Sequence, residues 1–444
     1  MEDRVRIGWG SAYAEDDLEP ARALAAEGHL DFLCFDALAE RTLALAQVRK
    51  LANPEQGYDL RLDEFSDIFL PYANQGLRLI TNMGAANPEM AAKRLHQKAR
   101  QQGYSEVRVA TVLGDDVLDL VKELNPILAE TRQSIRHHQG SLVSAHAYIG
   151  AESIVEALLE GATLVIGGRI ADPSLALAAL MAQFSWDIND WPRLGQGILV
   201  GHLLECGTHI TGGNFADPPY RVVPDLDNLG MPIADITSDG TIRLSKLPTT
   251  GGLLSPETVK AQLLYEIHDP ARYLTPDVTA DFSQVRVSQD AGRTLCISGA
   301  TGTMRPRLLK VLVGIDEGFA AEAEVSFAGP GALSRASLSR EVIQKRMARL
   351  LGSASHAVRY DFIGLNALHG ASSALPNVEP YEVRLRVATR VLTKAMAERI
   401  AHEVEWQYFG PAGAGGMRSR ITPALALYTT YLDRSVVTTR TIML

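Results

Sequence analysis

Short apolar segments alternate with helical segments through the first half of the chain, and this alternation constrains the fold most strongly. Segments such as RVRIGWG and ATLVIGGR are about six residues long and rich in Val, Ile and Leu, and a helical pattern follows each. Six such strand–helix units can be counted. Continuous apolar strands separated by helices are typical of a parallel sheet covered on both faces. The pattern predicts an α/β fold with an open, doubly wound parallel sheet, since a closed barrel would need eight units.

The pattern changes after about residue 220. Strands such as TIRLSKL and RLLKVLVGI alternate with expected turns at Asp239-Gly240, Ala291-Gly292 and Glu317-Gly318, which indicates an antiparallel α+β portion with one solvated face. A last segment contains two strands, a long helix and the glycine-rich GPAGAGG. We therefore expect three parts: a parallel α/β domain over 1–220, an antiparallel β-rich portion over 221–355, and a small α+β segment over 356–444 packed on the rest.

Composition argues against several classes of protein. The net charge of −9 is unfavourable for binding nucleic acid, and no apolar run approaches the ~20 residues that span a bilayer. MEDRVRIGWG lacks the apolar core and cleavage site of a signal peptide. Cys34, Cys206 and Cys296 are widely spaced, which indicates neither a disulfide framework nor a zinc site. We expect a cytoplasmic homo-oligomer without a nucleic-acid or membrane partner.

The segment GHLLECGTHITGGNFADPP, residues 201–219, gathers acid, thiol, imidazole and amide groups. These side chains either satisfy each other in a polar core or line a pocket. Gly212-Gly213 favours a pocket, because glycine allows the backbone to approach a ligand closely. We expect Thr211 and Asn214 to contact the ligand beside these glycines.

Helical spacing in the same segment predicts one face that carries His202, either Glu205 or Cys206, and His209. A histidine and burial would tune the pKa of Glu205 for general acid–base chemistry. A metal site is a second interpretation, but the HExxH spacing is absent and a third strong ligand is not obvious. A third is a plain amphipathic helix with its polar residues solvated.

Polar residues also follow the apolar strands, at the sheet edge where ligands bind in open parallel sheets. Arg169 follows Gly167-Gly168 directly and is predicted to bind an anion. His146 is a catalytic candidate, although a lone histidine also fits a satisfied core position. Asn82 and Asp172 are predicted to contact substrate, but helix capping also explains Asp172.

Two glycine-rich turns complete the set of candidate binding residues. Thr249, Thr250, Gly251 and Gly252 precede a capped helix and stand near Lys246, which suits a phosphate or carboxylate. The segment GPAGAGGMRSR places Gly415 and Gly416 beside Arg418, a possible second clamp. Tight turns with surface arginines explain both segments equally well.

Familiar enzyme motifs are missing. The chain has no GxxxxGK[ST] phosphate loop and no GxSxG nucleophile elbow. IGWGSAY resembles the start of a dinucleotide fingerprint, but Tyr13 stands where the third glycine belongs. A nicotinamide oxidoreductase is therefore not favoured.

Several of these segments resemble the signature blocks of the AtuA-like family, the acyclic terpene utilisation proteins. The blocks are ITNMGAANP, IGGRIADPS, GHLLECGTHITGGNFADP, KLPTTGGLLSPETVKAQLLYEIHDP and YLTPDV, and GPAGAGGMRSRITPAL resembles a continuation. The resemblance implies catabolism of acyclic terpenoids or branched-chain acids as coenzyme A thioesters. Longer relatives carry a C-terminal ferredoxin-like domain, and this chain ends at Leu444, too early for a full copy. The resemblance supplies no catalytic residues.

The leading hypothesis is a hydratase or other lyase-type enzyme that acts by acid–base chemistry on an acyl-CoA or carboxylate. Glu205 would be the general acid or base, assisted by His202 or His146, and no metal or cofactor would be required beyond coenzyme A as part of the substrate. The alternative is a non-catalytic subunit that binds acyl-CoA or associates with a carboxylase. The predicted binding residues are Arg169, Asn82, Asp172, Thr211, Gly212, Gly213, Asn214, Lys246, Thr249, Thr250, Gly251, Gly252, Gly415, Gly416 and Arg418.

Overall fold

The computed structural model describes residues 4–138, 140–289, 294–370, 379–410 and 412–444. The described strands are β1 Arg4–Trp9, β2 Phe32–Phe35, β3 Arg78–Thr81, β4 Val109–Leu113, β5 Ser141–Ala147, β6 Leu164–Gly167, β7 Pro232–Thr237, β8 Ile242–Lys246, β9 Tyr273–Leu274, β10 Thr279–Asp281, β11 Arg286–Gln289, β12 Leu295–Ser298, β13 Thr301–Thr303, β14 Leu308–Ala328, β15 Arg359–Ile363, β16 Glu382–Val391, β17 Gly415–Asp433 and β18 Arg440–Met443. The helices are α1 Glu19–Glu27, α2 Glu40–Ala52, α3 Leu62–Asn74, α4 Pro88–Gln101, α5 Leu118–Leu124, α6 Glu152–Leu159, α7 Asp172–Phe184, α8 Trp191–Glu205, α9 Pro256–Leu264, α10 Ala332–Leu351 and α11 Lys394–Glu405.

The chain divides into two compact units. The first comprises Met1–Arg136, Val143–Val313 and Leu427–Leu444, and the second comprises His137–Leu142 and Gly314–Ala426. The boundaries predicted after residues 220 and 355 stay predictions.

A ten-stranded mixed sheet forms the centre of the first unit, in the order β11-β12-β8-β7-β1-β2-β3-β6-β4-β18. The strands β1, β2, β3, β6 and β4 are parallel neighbours, whereas β7, β8, β12, β11 and β18 pair antiparallel. The structure is therefore mixed α/β. The doubly wound arrangement stays a prediction.

The prediction that the fifth strand belongs to the parallel sheet is wrong. Ser141–Ala147 pairs with β14 instead of joining the ten-stranded sheet. The physical reason lies in its composition, since Ser144 and His146 interrupt the apolar run that a strand buried on both faces requires.

The expected turns have different outcomes. Asp239-Gly240 does connect β7 to β8, and the amide of Gly240 donates to the carbonyl of Thr237. Glu317-Gly318 is not a turn, because β14 continues through it. Gly318 has φ +93°, and a Cβ there would lie 2.4 Å from the carbonyl oxygen of Val391, so the glycine serves a close approach within the sheet. Ala291-Gly292 lies outside the described residues.

The apolar cores follow the helix periodicity. In the first unit α1, α3 and α4 contribute to one apolar cluster in which the rings of Phe35, Phe65 and Phe69 lie 4.8–5.2 Å apart. The strands β15-β16-β14-β17 form another sheet, and its apolar side chains within the second unit pack with those of α10 and α11. Within the described part of the chain, no helix combines the length and apolar character needed to span a bilayer.

Helices α7 and α8 pack closely because glycines on α8 leave room for backbone. A Cβ on Gly201 would lie 2.3 Å from the carbonyl oxygen of Pro173 and 2.4 Å from its Cα. This close packing fixes the end of α8, which carries His202 and Glu205.

We expect Gly201→Ala to lower the free energy of unfolding by about 1–3 kcal/mol, because the added methyl group overpacks rigid backbone. Gly197→Ala is the matched control on the same helix, since its Cβ would meet the flexible end of Leu177 at 2.5 Å. Urea denaturation of both variants measures the difference. Equal stability of the two variants would contradict this account of the packing.

Candidate functional site

A cavity of about 1170 Å³ in the first unit lies where strands of the parallel sheet end. Asp36 follows β2, Arg169 follows β6, and Tyr148 follows β5, and all three line it. The end of α8 contributes Glu205, and the start of β14 contributes Lys310. The carboxyl ends of parallel strands meet at one edge of a sheet, so segments distant in sequence converge there.

Glu205 and His202 form a buried pair at the end of α8. The Oε1 of Glu205 lies 2.8 Å from Nδ1 of His202, and Nε2 of His202 lies 3.3 Å from the carbonyl oxygen of Leu263. Gln262 donates from Nε2 to the carbonyl oxygen of His202 at 2.7 Å. The Oε2 of Glu205 is buried and has no hydrogen-bond partner among the described residues.

Burial controls the protonation of this pair. It raises the pKa of Glu205 well above its usual value, and the charges of Asp172 and Glu266 raise it further. Burial also lowers the pKa of the His202 imidazole to about 4. His202 is therefore neutral at neutral pH, and burial favours the neutral form of Glu205 beside it.

The neutral pair has only one consistent hydrogen-bond arrangement. The carbonyl of Leu263 can only accept, so Nε2 of His202 carries the proton and Nδ1 is an acceptor. Glu205 must then donate from Oε1 to Nδ1. Its Oε2 keeps its lone pairs and faces no donor among the described side chains.

Arg169 is fully buried and uses most of its donors on the protein itself. Its guanidinium donates to the carbonyl oxygens of Leu38 and Ile170 and to Oδ1 of Asp172. These contacts occupy four of the five N–H groups of the side chain. The ring of Tyr148 lies 4.6 Å from the guanidinium carbon. Asp172 lines the cavity beside Arg169, and direct binding of a substrate anion by Arg169 stays a prediction.

Asn82 lies behind the cavity wall and holds Asp36. Its Oδ1 accepts from the amide of Ala37 at 2.7 Å, and its Nδ2 donates to Oδ1 of Asp36 at 2.5 Å. Asn82 is buried and is not among the lining residues, so it reaches the cavity through Asp36.

His146 forms a second buried pair, with Asp115. Its Nδ1 lies 3.0 Å from Oδ2 of Asp115, which also accepts from the amide of Arg169 at 2.8 Å. Its Nε2 is buried without a partner among the described residues. His146 is not among the cavity-lining residues, and its catalytic role stays a prediction.

In the segment 211–214 after α8, two residues line the cavity and two have structural roles. Gly213 and Asn214 line the cavity. Thr211 is buried and donates from Oγ1 to the carbonyl oxygen of Gly230 at 2.6 Å. Gly212 has φ +111°, and a Cβ added to it would lie 2.8 Å from a methyl group of Val223. Glycine therefore permits this turn.

The second predicted anion site lies at a different cavity. Lys246, Thr249, Thr250, Gly251 and Gly252 line a space of about 710 Å³ in the first unit. The amides of Thr250, Gly251 and Gly252 donate to backbone carbonyls of the protein, so these three are already paired. Lys246 donates from Nζ to the carbonyl oxygen of Thr250 at 2.6 Å.

The third predicted anion site lies in the second unit. Gly415, Gly416 and Arg418 belong to β17. The guanidinium Nε of Arg418 lies 3.7 Å from Oε2 of Glu324, and the side chain is mostly exposed. Both glycine-rich segments stay predictions as binding sites.

A family model described as acyclic terpene utilisation family protein AtuA matches residues 5–443. The chain belongs to the AtuA family. The predicted resemblance is thus confirmed and extends over nearly the whole chain. No curated protein and no solved structure matches it.

Several residues that line the cavity of this AtuA family protein were not predicted as site residues from the sequence. Asp36 and Tyr148 were visible only as polar residues after apolar strands, and Tyr273 lay within the block YLTPDV. Burial raises the pKa of Tyr273 well above its usual value, so its hydroxyl stays a donor. Burial likewise raises the pKa of the Cys206 thiol, which argues against a thiolate nucleophile. Nothing in the sequence near Lys310 indicated a place at this cavity.

Metal binding has no support from side-chain geometry in the described ranges. No group of three or more His, Cys, Asp or Glu side chains there is arranged to hold a metal ion. The carboxyls of Asp172, Glu205 and Asp36 instead contact Arg169, His202 and Asn82, respectively.

We expect Glu205→Gln to gain stability over the wild type as pH rises. Burial raises the folded-state pKa of Glu205 above its ordinary value of 4.5, so its favourable contribution is complete below that value and is lost as pH rises through the folded pKa. The wild type should lose up to about 1.4 kcal/mol per pH unit relative to the variant over that window. Urea denaturation at about pH 5 and about pH 8 measures this.

The matched control for this comparison is Glu123→Gln, an exposed glutamate of α5 that is not among the cavity-lining residues. It should change stability equally at both pH values. A pH-independent difference between Glu205→Gln and the wild type would show that Glu205 is not buried in its neutral form.

Proposed function

We propose that this protein is an acid–base enzyme of hydratase or other lyase type that acts on an acyl-CoA or carboxylate substrate. Membership of the AtuA family indicates a role in acyclic terpene utilisation, and the site supports the chemistry. The observation that carries the proposal is the unpartnered, buried Oε2 of Glu205 on a side chain that lines the cavity. Buried acceptors are normally hydrogen-bonded, so this oxygen is available for a substrate proton.

The geometry favours Glu205 as the base rather than the acid. In the neutral pair Oε1 holds the proton toward His202, and in an ion pair His202 donates to Oε1. In both states the Nε2–H of His202 is directed to the carbonyl of Leu263, and Oε2 of Glu205 remains an acceptor. General bases need an acceptor within hydrogen-bond reach of the substrate proton.

Proton removal can proceed through the pair. Oε2 of Glu205 takes a proton from a substrate carbon next to a carbonyl, while the Oε1 proton passes to Nδ1 of His202. The resulting imidazolium donates from Nε2 to the carbonyl of Leu263, which stabilises the charge. The electron pair of the broken C–H bond stays on the substrate.

The cavity walls support a substrate with a long apolar part and an anionic end. The volume of about 1170 Å³ is at the upper end of ligand pockets. Leu38, Leu274 and Leu309 supply apolar surface. The exposed cations Arg272 and Arg307 line the same space and would meet an anionic group.

Other features of the proposed function stay proposals. These are the cytoplasmic location, the homo-oligomer, the doubly wound sheet, the absence of a required cofactor, and the restriction of partners to a small-molecule acyl-CoA or carboxylate. The alternative of a non-catalytic acyl-CoA-binding or carboxylase-associated subunit predicts tight binding without turnover.

We expect Glu205→Gln to lower kcat by about 10²- to 10⁴-fold, because glutamine fills the same space but cannot take a proton. The assay follows solvent deuterium entering the α-carbon of branched acyl-CoA thioesters by mass spectrometry. Glu123→Gln, an exposed substitution that leaves the cavity wall unchanged, should exchange at the wild-type rate. Undiminished exchange in Glu205→Gln would remove Glu205 from the mechanism. Binding of the thioester without exchange in the wild type would favour the non-catalytic alternative.

A further inference from the structure

Asp36 is held rigidly at the cavity wall. Its amide donates to the carbonyl of Ser11 at 3.1 Å, and its own carbonyl accepts from the Ser11 hydroxyl at 2.6 Å. The side chain is buried and lines the cavity. Asp36 is therefore positioned by its backbone before any ligand arrives.

The two carboxyl oxygens of Asp36 differ in their surroundings. Oδ1 accepts from Nδ2 of Asn82 at 2.5 Å and from the amide of Leu38 at 3.1 Å. The amide of Ala37 donates to Oδ1 of Asn82, which fixes the Asn82 side chain with its NH₂ group toward Asp36. Both donors converge on Oδ1, so a proton on this carboxyl resides on Oδ2.

The balance of charges in the cavity favours a proton on Oδ2 of Asp36. Asp36, Asp172 and Glu205 line one cavity around a single buried guanidinium, that of Arg169, which contacts Asp172 directly. Burial raises the pKa of Asp172, but the adjacent guanidinium opposes that rise. Burial and the charge of Asp172 raise the pKa of Asp36 well above its usual value. Arg169 pairs directly with only one of the three carboxyls, and an unpaired buried charge is costly, so this arrangement favours the neutral form of the other two.

We propose that Asp36 is the catalytic acid of this site and donates its Oδ2 proton to the leaving hydroxyl of a β-hydroxyacyl substrate. The proposal rests on the proposed function and narrows it to elimination and addition of water. Glu205 takes the α-proton, the C–H electron pair becomes the new C=C bond, and the C–O pair leaves with oxygen. The Asp36 proton turns that oxygen into water, and Asp36 becomes a carboxylate hydrogen-bonded to Asn82 and Leu38.

The same pair of groups runs the reaction in the reverse direction. Asp36 as a carboxylate accepts a proton from water as its oxygen adds to the β-carbon, and the Glu205–His202 pair returns a proton to the α-carbon. The two groups exchange roles, as microscopic reversibility requires. No oxidant, reductant or metal enters the balance.

Asp36→Asn isolates the acid function. Asparagine retains an acceptor for Leu38 and Asn82 and a donor in place of the Oδ2 proton, but it cannot release that proton. We expect kcat for a branched β-hydroxyacyl-CoA to fall by about 10²- to 10⁴-fold. The matched control is Asp16→Asn, another aspartate that lines the cavity, and it should retain wild-type kcat.

A β-fluoroacyl-CoA of the same chain separates the two roles. Fluoride leaves without prior protonation, so Asp36→Asn should eliminate it at close to the wild-type rate. Glu205→Gln should lose both reactions, because both need the α-proton removed. Loss of fluoride elimination in Asp36→Asn would overturn the acid assignment and make Asp36 a structural residue.

An infrared difference spectrum tests the protonation of Asp36 without any substrate. A protonated carboxyl has a C=O stretch apart from that of carboxylates, and Asp36→Asn should lose one such band at neutral pH. Absence of that loss overturns the proposal and leaves the assignment of Glu205 intact. If the wild type eliminates neither water nor fluoride while the band is present, the proposed enzymatic function fails instead.

Discussion

The buried guanidinium of Arg169 sets the charge balance of the cavity. It lies against the backbone carbonyls of Leu38 and Ile170, so its position is independent of any ligand. A single cation of this kind stabilises the carboxylate of Asp172 directly, whereas burial raises the pKa of both Asp36 and Glu205. Without it, Asp172 would lose the guanidinium that it contacts directly. The reactivity proposed for this site therefore follows from a group that takes no part in bond making.

Sheet topology brings the members of this site together. The strands β2, β3 and β6 are consecutive neighbours in the sheet, and Asp36, Asn82 and Arg169 follow their respective carboxyl ends. Neighbouring parallel strands are about 4.8 Å apart, so residues that follow them lie side by side. Asn82 stands behind the middle strand and can contact Asp36 directly. The order of the strands thus positions Asp36, Asn82 and Arg169, and the end of α8 adds Glu205.

Local patterns in the sequence were enough to predict the mixed α/β fold, the family and the placement of Glu205 beside His202. They failed where tertiary partners decide. The strand Ser141–Ala147 has the length of a sheet strand, but its polar residues send it to β14. The turn Thr249–Gly252 has the composition of an anion site, yet the amides of Gly251 and Gly252 donate to the distant carbonyls of Asn228 and Pro224. Hydrogen-bond partners of this kind cannot be read from one segment alone.

The carbonyl of Leu263 shows how a structural contact selects chemistry. Helix α9 packs beside α8 and presents this carbonyl to Nε2 of His202, which fixes the tautomer and so makes Oε2 of Glu205 an acceptor. A buried acceptor without a partner costs about 1–3 kcal/mol of stability. A fold selected for stability alone would pair that oxygen, as it pairs Oδ1 of Asp36. The oxygen left unpaired at the cavity is therefore best explained by a proton that the substrate brings.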